Sequence, residues 1–321
     1  MTIPVVDLAP LDDGEAARDR VAEAFAAAYG KVGFAYLTGH GISRELVDGV
    51  FAASAAFHAL SLERKMLIEL DVNHRGYIPI AASTDRTSTL ANVTKPNQSA
   101  SFMMMREDRA DSPEVSAGTY LAGPNRWPDL PGFREPVEAY HGAMCELGRR
   151  VVGIVADLLG DDDGTTASAF ETPTSWLRLL HYPSVAVSAA PDVYGSAPHR
   201  DFGFITILAQ DEVGGLQVGD RAGNWIDVPP RCDAFVMNVG DMLHRWSNGR
   251  LLSTPHRVIN RTGRERYSVP FFFDPHMSTV IEPLPSCVSD ERPCRFEAIE
   301  FSAFVRGELT ASYDHHAAAQ Q

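Results

Sequence analysis

Apolar positions in the first half of the 321-residue chain recur at helical spacing, and after residue 174 they gather into short β-prone runs. EAARDRVAEAFAAAYGKV (15–32) follows an acidic entry and sets Val21, Ala24, Phe25 and Ala28 on one face, which predicts a helix. SRELVDGVFAASAAFHAL (43–60) opens on a serine N-cap and carries Leu46, Val50, Phe51 and Phe57 at helical spacing. A longer helix is predicted over 133–160. Short strands are expected at 3–8 and 33–41, and a loop-rich stretch runs from about 71 to 128 with a strand at FMMM (102–105). Beyond it come SWLRLLHYP, FGFITILAQ, GLQVGD, NWIDVP, AFVMNVGDML, HRVIN and RYSVPFFFDP, punctuated by Gly, Pro, Asn and Asp as in a sandwich or barrel. Residues 296–313 return to helical spacing. The expectation is a mainly β fold with surrounding α-helices.

Composition narrows the partners. The chain is 45% hydrophobic and 22% charged, ordinary for a globular protein. A formal charge of −14 without any Lys/Arg-rich run argues against a nucleic-acid partner. Cys145, Cys232, Cys287 and Cys294 lie apart with no CxxC, so neither a disulfide framework nor a thiolate zinc site is expected. The acidic start lacks a signal-peptide pattern, and no apolar window reaches the roughly 20 residues of a membrane span. A cytoplasmic protein that binds no membrane is expected.

The chemistry concentrates at PHRDFGFITILAQ (198–210). Residues i and i+2 of a strand share a face, so His199 and Asp201 are expected to project together and Arg200 away from them. A further ligand must come from another strand, and His256 in STPHRVIN offers one. Two imidazoles and one carboxylate make the facial triad of non-haem Fe(II) oxygenases. Fe(II) so held keeps a net positive charge and open positions for an anionic chelating cosubstrate and O2. Arg266 and Ser268 in RERYSVPFFFDP again stand two apart. A buried arginine needs an anion, either a bound carboxylate or an internal Asp or Glu. His244, in a turn without a same-face partner, reads as structural. His181 should point opposite to Tyr182, and Gly214, Gly215, Gly240 and Gly249 read as turn glycines.

HRD, GGLQV (214–218), NVGDMLHRWSNGRLLSTPHRV (238–258) and RYSVPFFFDP (266–275), with IPVVDL (3–8) and VGFAYLTGHGIS (32–43), resemble the isopenicillin-N-synthase-like family of 2-oxoglutarate/Fe(II)-dependent dioxygenases. The resemblance implies a double-stranded β-helix (jelly-roll) core. It implies residues 1–128 as an N-terminal helix-and-strand region and 129–321 as the oxygenase core, with a preceding long helix and a C-terminal helix, in one compact unit. Carried over motif by motif, His199, Asp201 and His256 fall on the iron ligands, and Arg266 and Ser268 on the pair that holds the distal carboxylate of 2-oxoglutarate. Tyr182 matches a tyrosine that assists there, but Leu180 stands where many members have Asn, which removes one polar contact. Arg75, Tyr77, Lys95 and Asn97 fall in loops that shape the substrate pocket in this family.

The implied enzyme uses Fe(II), 2-oxoglutarate and O2 to hydroxylate, desaturate or cyclise a small organic molecule, releasing succinate and CO2. Two alternatives stand beside it: an iron oxidase of the same family that dispenses with 2-oxoglutarate, and a non-catalytic metal-binding barrel that senses a ligand. Substrate-dependent formation of succinate separates the two enzymes, and absence of O2 consumption across a broad substrate panel would favour the sensor.

Overall fold

A computed structural model describes residues 2–84, 90, 93–184 and 192–312. It opens with β1 (Val5–Asp7), α1 (Glu15–Lys31), β2 (Phe34–Thr38), α2 (Arg44–His58) and α3 (Leu62–Met66). The strands β3 (Gly76–Ile78) and β4 (Ala100–Met105) follow, then α4 (Pro113–Ser116), α5 (Arg134–Leu159) and α6 (Thr165–Ala169). Next come β5 (Thr174–Tyr182), β6 (Ser196–His199), β7 (Ile205–Gln210), β8 (Leu216–Gly219), β9 (Trp225–Asp227) and β10 (Phe235–Val239). After α7 (Asp241–Trp246) the chain forms β11 (His256–Val258) and β12 (Arg266–Asp274). A short pair, β13 (Val280–Ile281) and β14 (Ile299–Glu300), leads into α8 (Phe301–Ser312).

Among the described residues, β1-β2-β10-β7-β12-β5-β4-β3 build an eight-stranded sheet and β6-β11-β8-β9 a four-stranded one. The fold is a jelly roll, and β1 to β4 extend the same large sheet that β5, β7, β10 and β12 build. Alternation along each strand decides what faces the barrel. On β12, Val269, Phe271 and Phe273 join the core beneath the helices. The alternate positions Arg266, Ser268, Phe272 and Asp274 therefore face the interior. On β7, Ile205, Ile207 and Ala209 pack outward with the helices, leaving Thr206, Leu208 and Gln210 inside. A second core of Phe34, Tyr36, Leu180, Leu216, Val218 and Val258 joins the two sheets.

The helical layer is anchored by α5, whose Val137, Tyr140, Met144, Leu147, Val151 and Val155 form one buried stripe. Gly148 lets α5 lie directly on β12, since a Cβ there would meet the Phe273 ring at 2.7 Å. Ser43 caps α2 as expected, accepting the Leu46 N–H at 3.3 Å. On α1 the buried stripe is Ala17, Val21, Phe25, Ala28 and Tyr29, and Ala24 is exposed, one position off the expected face. The tail helix starts at Phe301 rather than 296, and residue 313 lies outside the described residues.

Two strand expectations are corrected. β10 stops at Val239, because at Gly240 the chain turns into α7. FGFITILAQ does not continue the strand that carries His199. His199 ends β6 in the small sheet, residues 200–204 form a corner, and β7 begins in the large sheet at Ile205.

Candidate active site

The corner brings the three predicted ligands together. His199 at the end of β6 is directly paired with His256 at the start of β11, and their rings lie 4.3 Å apart. Asp201 lies past the end of β6, so strand alternation does not aim it. Its Oδ1 sits 3.6 Å from His199 Nε2 and 3.7 Å from His256 Nε2. Two donors bound to one ion at about 2.1 Å each must lie within roughly 4.2 Å of one another, and both pairs meet that limit. One ligand atom from each of the three residues lies within 4.8 Å of the others.

The surroundings fix which atoms face the centre. Asp201 Oδ2 accepts the Thr206 hydroxyl at 2.5 Å and Asn238 Nδ2 at 2.7 Å, which leaves Oδ1 toward the imidazoles. His199 Nδ1 donates to the Ala197 carbonyl at 2.7 Å, and His256 Nδ1 points at the Thr254 carbonyl at 3.5 Å. Such bonds hold a ligating histidine in the tautomer that presents Nε2. Burial, and then the His199 ring, push His256 down to about 4, so its imidazole is neutral at pH 7. Burial alone would raise the Asp201 carboxyl. The His256 and His199 imidazoles and the Thr206 hydroxyl outweigh it and hold it well below the usual carboxylate range. A buried carboxylate beside two imidazoles that both turn Nε2 toward it is a donor set that fits Fe(II).

Deeper in the barrel, Arg266 is 0% exposed and pairs across the sheet with Tyr182. Its guanidinium lies 4.5 Å over the Tyr182 ring and donates to Ser268 Oγ and Gln210 Oε1, both at 3.2 Å. The Ser268 and Tyr182 hydroxyls are 3.4 Å apart. Arg266 Nε has no hydrogen-bond partner, and among the described residues no acid pairs with Arg266. The internal salt bridge left open by the sequence is therefore absent there. Leu180 is packed among the apolar residues between the sheets and adds no polar contact.

A cavity of about 320 Å³ opens beside the triad, lined by His199, Asp201, Trp176, Arg178, Phe202 and Phe272 among others. A family model of the 2OG-Fe(II) oxygenase superfamily matches residues 173–275, and one for the non-haem dioxygenase in morphine synthesis N-terminal region matches residues 3–130. The 2-oxoglutarate-Fe(II) type oxidoreductase hxnY of Emericella nidulans is 37% identical over 320 residues, covering 97% of this chain and 90% of its own. The chain belongs to the 2-oxoglutarate/Fe(II) oxygenase superfamily. The oxygenase is also 39% identical over 296 residues to the 2-oxoglutarate-dependent dioxygenase citB of Monascus ruber, covering 88% of this chain and 87% of that one. A full-length Neurospora crassa protein in complex with alpha-KG and thymine has the same fold, with a TM-score of 0.83 at 28% identity over 96% of each chain. The oxygenase is thus a 2-oxoglutarate-dependent oxidoreductase that takes Fe(II), 2-oxoglutarate and a small-molecule substrate. Among the described residues, no helix is long and apolar enough to cross a membrane.

Of the four loop residues expected at the substrate, Asn97 alone is among those lining the cavity of the oxygenase. Its Oδ1 accepts the Ala197 N–H at 2.8 Å, steadying β6 two residues before His199. Arg75 is instead buried, donating to the carbonyls of Asn73, Leu121 and Arg106, with Asp108 at 3.8 Å. Tyr77 packs its ring on Phe57 and under Lys65. Lys95 is exposed and pairs with Asp192 at 2.7 Å. Buried carbonyls and a surface carboxylate claim both cations, and one sequence cannot reveal such competition. Arg200 sits at the rim, donating to the Ser253 carbonyl at 3.0 Å. His244 bonds the Leu251 carbonyl, and His181 stacks on Tyr267, on the face opposite Tyr182.

Several site residues escaped sequence reasoning. Thr206 and Asn238 hold Asp201, Gln210 meets Arg266, and Asp274 lines the cavity. Burial pushes Asp274 up to about 7, although the Phe204 N–H donates to it. A signal existed for Asp274: continuing the two-residue step from Arg266 and Ser268 along β12 reaches Phe272 and Asp274. α8 also lines the cavity, through Glu308, Leu309 and Ser312.

Proposed function

We propose that His199, Asp201 and His256 hold Fe(II), that Arg266 and Ser268 hold the distal carboxylate of 2-oxoglutarate with Tyr182 beside them, and that the substrate occupies the cavity above. The observation that carries this reading is Arg266, a buried cation with an unpartnered nitrogen and no acid paired with it among the described residues. An uncompensated buried charge is costly, and a bound carboxylate on the guanidinium fork removes that cost. Iron and 2-oxoglutarate together supply an O2-derived oxidant for a substrate C–H bond, with succinate and CO2 as coproducts.

The chain's own residues perform binding, orientation and exclusion of water. Thr206 and Asn238 hold Asp201 Oδ2, which leaves Oδ1 as the oxygen that would hold the metal. The Ala197 carbonyl keeps the proton of His199 on Nδ1. Trp176, Phe202 and Phe272 give the cavity apolar walls, and α8 covers part of it.

The test is an anaerobic titration of the enzyme with Fe(II) and then 2-oxoglutarate, followed by the visible absorption of the chelate and by calorimetry. His256→Ala should abolish iron binding. Arg266→Ala should bind iron normally and require about tenfold or more 2-oxoglutarate, given the strength of a charged hydrogen-bonded pair. An unchanged requirement removes Arg266 from its assigned role. Full turnover without 2-oxoglutarate overturns the reading.

A further inference from the structure

The alternation that sets Tyr182 beside Arg266 also turns Trp176 and Arg178 of β5 into the cavity. Arg178 Nε donates to Ser101 Oγ of the neighbouring β4 at 2.8 Å, which fixes the plane of the guanidinium. That bond uses one of five N–H donors. Among the described residues, neither terminal nitrogen of Arg178 has a hydrogen-bond partner, and no carboxylate lies within ion-pairing distance. Among the described residues, Arg75, Lys95 and Arg200 of the substrate loops and rim already have an occupation: Arg75 on carbonyls, Lys95 on Asp192 and Arg200 on the Ser253 carbonyl. Arg178 is a fixed fork with open donors, inside the pocket.

The walls beside it are aromatic. Trp176 and Phe272 are direct cross-strand partners, and Phe202 stands edge-on to Trp176 at 6.1 Å and 76°. Phe272 is also in register with Thr206, whose hydroxyl holds Asp201, so a ring resting on Phe272 is at the metal end of the cavity. Arg178 lies two residues further along β5 from Trp176, about 7 Å away at the usual rise per residue. A volume of about 320 Å³ is at the small end of ligand pockets, which suits a small molecule better than a peptide or a large polycyclic one.

We propose that Arg178 anchors the substrate, and that the substrate is a small planar ring bearing a carboxylate, gripped by Arg178 while the ring lies against Trp176 and Phe272. A guanidinium fork matches a carboxylate in two parallel bonds, and aromatic walls favour a flat ring over a saturated one. The proposal deepens the assignment of the cavity to the substrate and rests on it.

The test uses the enzyme loaded anaerobically with Fe(II) and 2-oxoglutarate, so that Arg266 is occupied and no turnover occurs. Benzoate, benzamide and cyclohexanecarboxylate serve as probes, followed by saturation-transfer NMR and calorimetry. Benzoate should bind about tenfold or more tightly than benzamide, as expected for a charged pair, and more tightly than cyclohexanecarboxylate. Arg178→Met should erase the preference for benzoate over benzamide while leaving the Fe(II)–2-oxoglutarate absorption unchanged. Arg178→Gln takes its place if the methionine variant does not fold. Equal benzoate affinity in the wild type and the folded variant, or no benzoate binding by the wild type, overturns the proposal. Loss of the Fe(II)–2-oxoglutarate absorption in the wild type overturns the assignment of the cofactor site instead.

Discussion

Asp201 divides its work between two oxygens. Oδ2 is held by Thr206 and Asn238, and Oδ1 faces both imidazoles, so the carboxylate is oriented before any metal arrives. Replacing Asn238 with Leu removes one holder and leaves the shape nearly intact. Iron affinity is expected to fall about 10- to 100-fold, the usual effect of losing a group that orients a ligand, while thermal unfolding of the metal-free enzyme changes little. Calorimetric titration with Fe(II) checks it, and an unchanged affinity would show that Thr206 alone suffices. At this scale the residue types were legible in the sequence: HRD, the later histidine and the RxS pair each stand out for their charge beside apolar runs. Their holders were not, because Thr206 and Asn238 look like ordinary strand residues until the fold places them against Asp201.

The element that decides the site is the corner at 200–204, which the sequence presented as a continuous strand. Its carbonyls at Asp201 and Gly203 accept the N–H groups of Asp241 and Met242, the first turn of α7, at 2.8 and 3.0 Å. The helix start thereby satisfies its own open donors and clamps the corner in place. Gly240 permits the approach: its backbone is not in the left-handed region, but a Cβ there would meet the Gly203 carbonyl oxygen at 2.1 Å. Gly240→Ala is therefore expected to cost roughly 1–3 kcal/mol, as overpacking does, and to reduce iron loading by displacing Asp201. Denaturation midpoints and metal content after reconstitution check both effects. A Gly240→Ala variant with full iron content would separate the clamp from the site. No periodicity in GDMLHRW announces this, since the helix start is set by a partner about 40 residues upstream.

Across the whole molecule, buried histidines set the response to acid. Burial pushes His58 down to about 3, and His141 and His256 down to about 4, from an ordinary value near 6.5. Between about 6.5 and 4 the unfolded chain takes up these protons while the folded chain does not, so stability falls as the pH drops. Asp274, pushed up to about 7, acts in the opposite sense, keeping a proton in the fold that the unfolded chain loses above about 4. Three imidazoles outweigh one carboxyl. Urea midpoints of the metal-free enzyme should drop markedly from about pH 7 to about pH 5, and a flat profile would contradict the burial of these rings.

The sequence by itself determined the kinds of elements, the helical layer before a β core, and the identity of the charged residues at the heads of β-prone runs. Helix spacing and strand alternation are local, so they can be read along the chain. Which of those residues meet was decided only by the tertiary structure. Closing two sheets around an interior sends Arg178 and Asp274 into the cavity and Arg75 onto backbone carbonyls, and it turns a supposed strand into the corner that presents Asp201. Those outcomes rest on contacts between residues far apart in the chain, where a buried charge takes whichever partner the fold brings within reach.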